Sequence, residues 1–293
     1  MPATLADASS AVECSPAGPL RPTLGRTMEP TSDPEQHDNP DWRDTLLGIH
    51  PELVRRRRIF RHLPSDPRCK LCLSPQGGIG APIVSFFGYG RYPRNPQLCN
   101  NCFVSAKKHP GGATIEITAL FADIRGSTGL AERIGTTAYH AAVAEYVRVA
   151  SEAIRRPSGL VDKLLGDGVM ALFISGFMGG TNHAAAAVDA GRTILREASL
   201  PVGVGVHTGP AWVGFVGGVE EVLDFTALGD AVNVASRLGS EAGAGEILMS
   251  ASTTTAADLS TNGLEARHLD LRGRSEPLDA WSERIPEAVA PAS

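Results

Sequence analysis

Four cysteines between residues 69 and 102 form two C-x-x-C pairs, Cys69 with Cys72 and Cys99 with Cys102. Two pairs at this separation can bring four thiolates to one tetrahedral metal ion. Because four thiolates leave no coordination position open for water or substrate, we interpret the cluster as a structural Zn²⁺ site. Iron, as a mononuclear or an iron–sulfur centre, stays the alternative, since four cysteines also suit iron. In a segment with so small a core, metal binding would decide whether it folds.

A second kind of chemistry is indicated by Asp123, which follows an apolar segment. Residues 113–122 alternate and then become fully apolar, so they predict a strand that enters a core. The residues after Asp123 lead through a glycine turn into a predicted helix: Ile124, Arg125, Gly126, Ser127 and Thr128. A carboxylate beside the N–H groups of a helix N-terminus suits a polyphosphate, because the carboxylate can hold magnesium while the amides take phosphate oxygens. The alternative is that the aspartate and the serine only cap the helix.

Asp167 stands in the Gly-Asp-Gly that joins two short apolar runs between Leu160 and Phe173. Because glycine and aspartate tolerate the positive φ of a tight turn, this pattern predicts a β-hairpin with Asp167 at its tip. Lys163 lies four residues earlier, on the incoming strand, so an acid and a base share one element without being obliged to pair. Taken alone, the stretch favours a solvated hairpin with a surface lysine.

Asn233 and Arg237 lie on a predicted helix, Ala231 to Leu238, that follows a Gly-Asp pair. Their spacing of four residues puts both side chains on one face of the helix. A carboxamide and a guanidinium on one face can bind a pentacoordinate phosphorus and the sugar attached to it. Taken singly, each is a surface residue.

The elements that must position these residues divide the chain into segments. Residues 1–40 lack any periodicity and predict a disordered tail, and residues 41–110 combine helices broken around a proline with the cysteine pairs. A Gly-Gly pair precedes the second domain, residues 111–285, and residues 286–293 form a C-terminal tail. Within the second domain, residues 201–207 and 211–216 predict two strands joined by a turn at Thr208-Gly209-Pro210.

Composition narrows the class of protein. The 293 residues carry a net charge of −5, which argues against a protein held on nucleic acid by a broad basic face. Four consecutive arginines, Arg55 to Arg58, are interpreted as a solvated helical face, with a docking surface for another part of the protein as the alternative. Because no leader sequence or bilayer-spanning apolar run is found, we expect a cytoplasmic protein with reduced cysteines.

Four stretches together resemble the class III nucleotidyl cyclases: FADIRGST, DKLLGDGVMALF, VGVGVHTGPAWVGFVG and DFTALGDAVNVASRL, in this order. The resemblance covers about Ala113 to Trp281. It implies an α/β fold, an α+β sandwich around a ferredoxin-like mixed sheet, here with a small metal-stabilised N-terminal domain and a disordered tail. It also implies that ATP or GTP is cyclised by attack of the ribose 3′-hydroxyl on the α-phosphorus.

The resemblance also assigns roles to residues. Asp123 and Asp167 would hold two Mg²⁺ or Mn²⁺ ions, assisted by the backbone carbonyl of Ile124. Lys163 and Thr226 match the residues that read adenine in family members that use ATP, whereas guanylyl cyclases usually place Glu and a Cys-like residue there. The residues that would bind the phosphates are Gly126, Ser127, Thr128 and, near the C-terminus, Arg272. Ser127 departs from the family pattern, which often has Phe at this position.

Asn233 would orient the ribose and Arg237 would stabilise the charged transition state. In the family, the metal-binding aspartates of one chain face the base-reading and transition-state residues of another. The resemblance therefore implies a head-to-tail homodimer, and an adenylate cyclase that converts ATP to 3′,5′-cyclic AMP and pyrophosphate. The alternatives are a guanylate cyclase, or a non-catalytic nucleotide-binding module. In either case the four-cysteine segment would be a metal or redox sensor or the target of an unknown regulator.

Overall fold

A computed structural model describes residues 38–63, 67–93, 95–109, 111–216, 224–270 and 276–286. Residues 1–37, which make up most of the predicted N-terminal tail, lie outside these ranges. Arg272 and most of the predicted C-terminal tail also lie outside the described residues.

The strands form one small and one large sheet. The small sheet pairs β1 (Arg91–Tyr92) with β2 (Asn95–Cys99). The large sheet contains β3 (Gly112–Ile124), β4 (Leu160–Leu165), β5 (Gly168–Phe173), β6 (Val202–Val216), β7 (Asp224–Leu228), β8 (Glu246–Ser250), β9 (Glu265–Leu269) and β10 (Leu278–Arg284). Its strand order is β4-β5-β3-β6-β8-β10-β9, and β7 pairs with the second half of β6. Because β6 and β8 are parallel and the other pairs antiparallel, the sheet is mixed, and the predicted α/β fold class is confirmed.

The helices alternate with these strands along the chain. They are α1 (Pro40–Leu47), α2 (Pro51–Phe60), α3 (Gly80–Val84), α4 (Asn100–Lys108), α5 (Ser127–Ile134), α6 (Thr136–Arg155), α7 (His183–Glu197), α8 (Asp230–Glu241) and α9 (Ala251–Ala256). A π-helical turn, Ser85–Tyr89, continues α3, and Ser175–Phe177 is a 3₁₀ turn. Both α1 and α2 begin with proline, which suits the first helical position because its missing N–H would have no partner there. Within the described ranges, no helix combines the length and apolarity needed to cross a bilayer.

Strand β3 separates two hydrophobic clusters because successive side chains of a strand point to opposite faces. On one face, Ile117 and Phe121 pack with residues of α1, the four-cysteine segment and α8. On the other face, Leu120 and Ala122 pack with residues of α6 and α7. Residues 38–109 therefore share one hydrophobic cluster with the large sheet and cover part of one of its faces.

Strand β6 corrects the prediction of two strands joined by a turn. The chain runs through Thr208, Gly209 and Pro210 as one strand, because β3 pairs with β6 along its length. Among the described residues, no strand pairs with the other side of β6 between Val206, the last residue paired with β8, and Trp212, the first paired with β7. The missing N–H of the proline therefore leaves no ladder bond unmade on that side.

Helix α8 packs unusually close to β6. A Cβ atom on Gly205 would lie 2.0 Å from the backbone nitrogen of Gly239, so these two elements touch through their main chains. Only glycine permits such an approach at Gly205. This contact determines where α8, with Asn233 and Arg237, lies against the sheet.

Candidate active site and metal centre

The fold brings the two predicted metal-binding aspartates together. Asp123 ends β3 and Asp167 precedes β5, and these strands pair antiparallel, with Ala122 opposite Val169. A Cβ atom on Gly168 would lie 3.0 Å from Asp123 Oδ1, so the chain beside Asp167 passes directly next to the other carboxylate. Burial raises the pKa of Asp123; the Arg125 charge opposes this rise and the Asp167 charge adds to it.

Two polar side chains hold these carboxylates in place. The Arg125 guanidinium donates to Asp123 Oδ2 at 2.5 Å and to the Ser240 carbonyl at 3.0 Å. The Tyr139 hydroxyl donates to Asp167 Oδ2 at 2.9 Å. Neither partner was singled out from the sequence, although Arg125 lies inside the first motif. Two adjacent carboxylates are a hard oxygen donor set that suits Mg²⁺ or Mn²⁺, so the residues present fit a divalent cation.

The first turn of α5 begins just after Asp123. Gly126 precedes the helix with a φ of +63°, which glycine adopts without strain, and no side chain caps the helix. The alternative that the aspartate and serine only cap this helix is therefore not what the structure contains. The N–H groups of Ser127 and Thr128 lie at the end of the helix where its dipole is positive, a place suited to phosphate oxygens.

Lys163 and Thr226 are brought together through a residue that the sequence did not single out. Thr226 Oγ1 donates to Asp162 Oδ2 at 2.8 Å, and Lys163 Nζ lies 3.5 Å from the same oxygen. Lys163 Nζ also lies 3.5 Å from Asp224 Oδ2. Asp162 stands at a bulge where the β4–β5 register shifts, and its bond to Thr226 joins two strands that are not neighbours in the sheet.

Lys163 and Asp167, which share the hairpin, contact different groups. The lysine faces Asp162 and Asp224, whereas Asp167 accepts the bond from Tyr139. The hairpin turn uses Gly166 at a φ of +65°. The hairpin therefore carries its base and its acid toward separate polar groups.

Asn233 and Arg237 lie on the face of α8 that is turned away from the buried seam. Asn233 is exposed and Arg237 half-buried, while Val234 and Leu238 of the same helix are fully buried. No hydrogen bond or ion pair among the described residues joins either side chain to Asp123 or Asp167. Within one chain, the predicted site thus falls into separate groups, and Arg272 lies outside the described residues.

The four cysteines form a buried cluster. All four Sγ atoms lie within 4.8 Å of one another, and those of Cys72 and Cys99 are 3.6 Å apart. Tetrahedral Zn²⁺ with bonds of about 2.3 Å would separate its sulfur ligands by roughly 3.8 Å, so the cluster fits such an ion. The Cys99 amide donates to Cys69 Sγ at 3.2 Å and the Cys102 amide donates to Cys99 Sγ at 3.3 Å. Hydrogen bonds to sulfur lower the pKa of the Cys99 thiol, which favours the thiolate needed for binding metal.

Arg57 anchors the cluster to the rest of the fold. Its Nε donates to the Leu71 carbonyl at 2.7 Å, and its Nη1 donates to the Gly176 carbonyl. Burial lowers the pKa of Arg57, and the neighbouring cysteines oppose that change. The predicted solvated face therefore fails for Arg57, and the docking alternative holds at this residue. Arg57 follows the buried Leu53 by four residues, so helical periodicity was the signal that could have indicated it.

Gln97 connects the cysteine segment to β4. Its side-chain nitrogen donates to the Val161 carbonyl, and its side-chain oxygen accepts from the Val161 amide at 3.1 Å. Because β4 is an edge strand, this carboxamide takes the place that one residue of a further strand would have. Val161 directly precedes Asp162 and Lys163, so the segment contacts the strand that carries the candidate base-reading residues.

Comparison with known proteins identifies a shared domain. A family model described as the adenylate and guanylate cyclase catalytic domain matches residues 112–279. The adenylate cyclase of Anabaena cylindrica is 35% identical over 156 residues, which cover 49% of this chain and 30% of that protein. Adenylate cyclase 1 of Rhizobium meliloti is 35% identical over 136 residues, covering 42% and 20%. The chain thus spans less than a third of the length of either relative.

Solved structures give the same grouping. The adenylyl cyclase CyaB from P. aeruginosa aligns with a TM-score of 0.52 and 28% identity, covering 58% of this chain and 94% of that one. The guanylyl cyclase Cya2 aligns with a TM-score of 0.53 and 28% identity, covering 59% and 93%. Because one of these structures is an adenylyl and the other a guanylyl cyclase, similarity alone does not separate the two bases.

Proposed function

Because the chain belongs to the adenylate and guanylate cyclase catalytic domain family, we propose that it converts ATP to 3′,5′-cyclic AMP and pyrophosphate. The observation that carries the choice of base is the group formed by Lys163, Asp162 and Thr226. An ammonium beside a threonine hydroxyl offers a donor and a hydroxyl to the edge of a purine. The Glu and Cys-like pair usual in guanylyl cyclases is absent from these positions.

Asp123 and Asp167 would hold two divalent cations, together with the backbone carbonyl of Ile124. When bound, these ions would stabilise charge on the phosphate oxygens and lower the pKa of the ribose 3′-hydroxyl. Arg125, which pairs with Asp123, would neutralise that carboxylate until a cation replaces it. Tyr139 would keep Asp167 oriented toward the same place.

Other residues of the chain would position the nucleotide. The amides of Gly126, Ser127 and Thr128 would bind phosphate oxygens at the start of α5. Asn233 would hold the ribose, and Arg237 would stabilise charge on the phosphorus in the transition state. Arg272 would contact the terminal phosphates.

A head-to-tail homodimer would complete each site. Asn233 and Arg237 lie on a separate face from the aspartates within one chain, which supports a site made from two chains. Asp123 and Asp167 of one protomer would then face Lys163, Thr226, Asn233 and Arg237 of its partner. Turnover should consequently depend on protein concentration.

The N-terminal segment is proposed to bind one Zn²⁺ through Cys69, Cys72, Cys99 and Cys102. The sulfur distances support a tetrahedral ion, and four sulfur ligands make the site structural. We propose that residues 41–110 form this metal-dependent segment and residues 111–285 the cyclase domain. Thiols available to bind metal are also expected in the cytoplasm, where we propose the protein acts.

The proposed function is tested by incubating the purified full-length chain with ATP or GTP, in the presence of Mg²⁺ or Mn²⁺. We expect cyclic AMP as the dominant product, identified by chromatography and mass spectrometry. Dominant cyclic GMP would reject the assigned base, and no cyclic nucleotide with either substrate would favour the non-catalytic module. The Asp123→Ala chain serves as the control for contaminating cyclase.

A further inference from the structure

The Asp162 carboxylate lies between the two side chains proposed to read the base. Its side chain has 0% exposure, and its Oδ2 accepts the hydrogen bond from Thr226 at 2.8 Å. Lys163 Nζ approaches the same oxygen at 3.5 Å. The other oxygen, Oδ1, is buried and has no hydrogen-bond partner among the described residues.

This contact restricts what the Thr226 hydroxyl can offer. A threonine hydroxyl has one hydrogen to donate and two lone pairs that accept, and it rotates to suit its neighbours. An ionised carboxylate only accepts, so Thr226 must give its single hydrogen to Asp162. Toward any further group, the hydroxyl is left with lone pairs alone and acts as an acceptor.

Adenine and guanine differ at the atom that such an acceptor would meet. Adenine carries an amino group on its six-membered ring, which donates, where guanine carries a carbonyl oxygen, which accepts. The Lys163 ammonium has three hydrogens and can meet an acceptor on either base. The direction of the Thr226 hydroxyl therefore separates the two bases, because its lone pair attracts the amino group and repels the carbonyl oxygen.

We propose that Asp162 is a positioning residue for base selection: it holds the Thr226 hydroxyl as an acceptor and thereby favours ATP over GTP. This inference rests on the proposed adenylate cyclase function. Asp162 acts through Thr226, so it need not touch the nucleotide itself.

The cost of this arrangement supports a role beyond holding two strands together. A buried carboxylate with one oxygen lacking a partner destabilises a fold, and an apolar side chain would join β4 and β7 without that cost. Burial raises the pKa of Asp162 to about 6, with Thr226 and Lys163 opposing the rise and Asp224 adding to it. The carboxylate is therefore ionised at neutral pH, as the acceptor role requires.

The test compares kcat/KM for ATP with kcat/KM for GTP at pH 7.5. Replacing Asp162→Ala frees the Thr226 hydroxyl to donate to a guanine carbonyl, so the ATP to GTP ratio should fall about tenfold, which equals about 1.4 kcal/mol. In a Thr226→Val background, the same replacement should change the ratio less than about twofold, because the hydroxyl through which Asp162 acts is gone.

Asp224→Asn is the matched control. Asp224 lies as close to Lys163 as Asp162 does, but it makes no hydrogen bond to Thr226. Its replacement should therefore leave the ratio within about twofold. An equal fall in both variants would mean that the charge on Lys163, and not the Thr226 hydroxyl, sets the ratio, and it would overturn the inference.

A second measurement uses the wild-type chain and so does not depend on any variant folding. As the pH falls from 8 to 5.5, Asp162 gains a proton and can donate to Thr226, so the ATP to GTP ratio should fall. A ratio that stays constant over this range overturns the inference. A wild-type preference for GTP instead rejects the proposed function, whereas an ATP preference that survives in folded Asp162→Ala rejects only the role of Asp162.

Discussion

At the scale of single residues, Asp162 combines a stability cost with a place in the site. Its carboxylate is buried, is only half satisfied by hydrogen bonds, and has a pKa raised to about 6 by burial. A group whose folded pKa lies above its unfolded value binds a proton more tightly in the folded state. Its contribution to stability is therefore largest at low pH, and it is lost as the pH rises from about 4 through 6.

We predict that Asp162→Asn removes this loss. The difference in unfolding free energy between variant and wild type should be near zero at pH 4 and should grow to on the order of 2–3 kcal/mol in favour of the variant above pH 6.5. Denaturant titrations at a series of pH values measure it. Asp224→Asn provides the comparison, because Asp224 is half-exposed. A difference for Asp162→Asn that does not change with pH would contradict the prediction.

At the scale of elements, the edge strand β4 is supported from outside the large sheet. Both hydrogen-bonding groups of Val161 that face away from β5 are satisfied by the Gln97 carboxamide. Gln97 in turn lies two residues before Cys99, on the short strand that leads into the metal cluster. The cysteine segment therefore restrains the part of β4 that precedes Asp162 and Lys163.

We predict that Gln97→Ala lowers kcat/KM for ATP about threefold to tenfold, because loss of two hydrogen bonds loosens the strand that carries Lys163. Gln76→Ala is the matched control, since Gln76 lies in the same segment but bonds only to groups of that segment, the Ser74 side chain and the Tyr89 carbonyl among them. Its kcat/KM should stay within about twofold of wild type. Zinc content, measured in both variants, should be unchanged. An equal loss in the two variants would indicate a general destabilisation of the segment.

Removal of the metal should act through the same connection. Cys99→Ser is expected to abolish stoichiometric zinc binding and to lower both the melting temperature and the cyclase activity, because structural metal contributes directly to folding. Metal analysis, thermal unfolding and product formation measure these effects. A colourless protein with one zinc per chain supports the proposed ion, whereas visible absorption with bound iron would establish the iron alternative.

At the scale of the whole molecule, the separation of the site into groups predicts complementation between inactive chains. Asp123→Ala should abolish activity, and Arg237→Ala should reduce it roughly 10²–10³-fold, the scale of one lost preorganised donor. An equal mixture of the two should recover about a quarter of wild-type activity, because half of the dimers would be mixed and each would hold one intact site.

The control for this mixture combines Asp123→Ala with Asp167→Ala. Both replacements remove metal ligands that would come from the same protomer, so their mixed dimers would contain no intact site. Recovery in this second mixture, or a first mixture that forms dimers but stays inactive, would contradict a site shared between two chains. Analytical ultracentrifugation of each mixture establishes whether dimers are present.

The amino-acid sequence by itself determined the chemistry-bearing residues and most of the elements that carry them. The strand before Asp123, the hairpin at Asp167 and the helix with Asn233 all follow from signals between near neighbours: apolar periodicity, turn glycines and residue spacing. The two C-x-x-C pairs likewise predicted the sulfur cluster that the structure contains. These signals are local, because hydrogen bonding and turn geometry within one element involve residues a few positions apart.

Only the tertiary structure decided which distant residues meet. Asp162 and Thr226 are 64 positions apart, as are Gln97 and Val161, and Arg57 bonds to Gly176 across 119 positions. Local periodicity carries no information on which strand lies beside which, and the polarity of the Thr226 hydroxyl depends on that adjacency. The same reason explains why β6 runs through Pro210: pairing with β3 along its whole length outweighs the local preference for a turn.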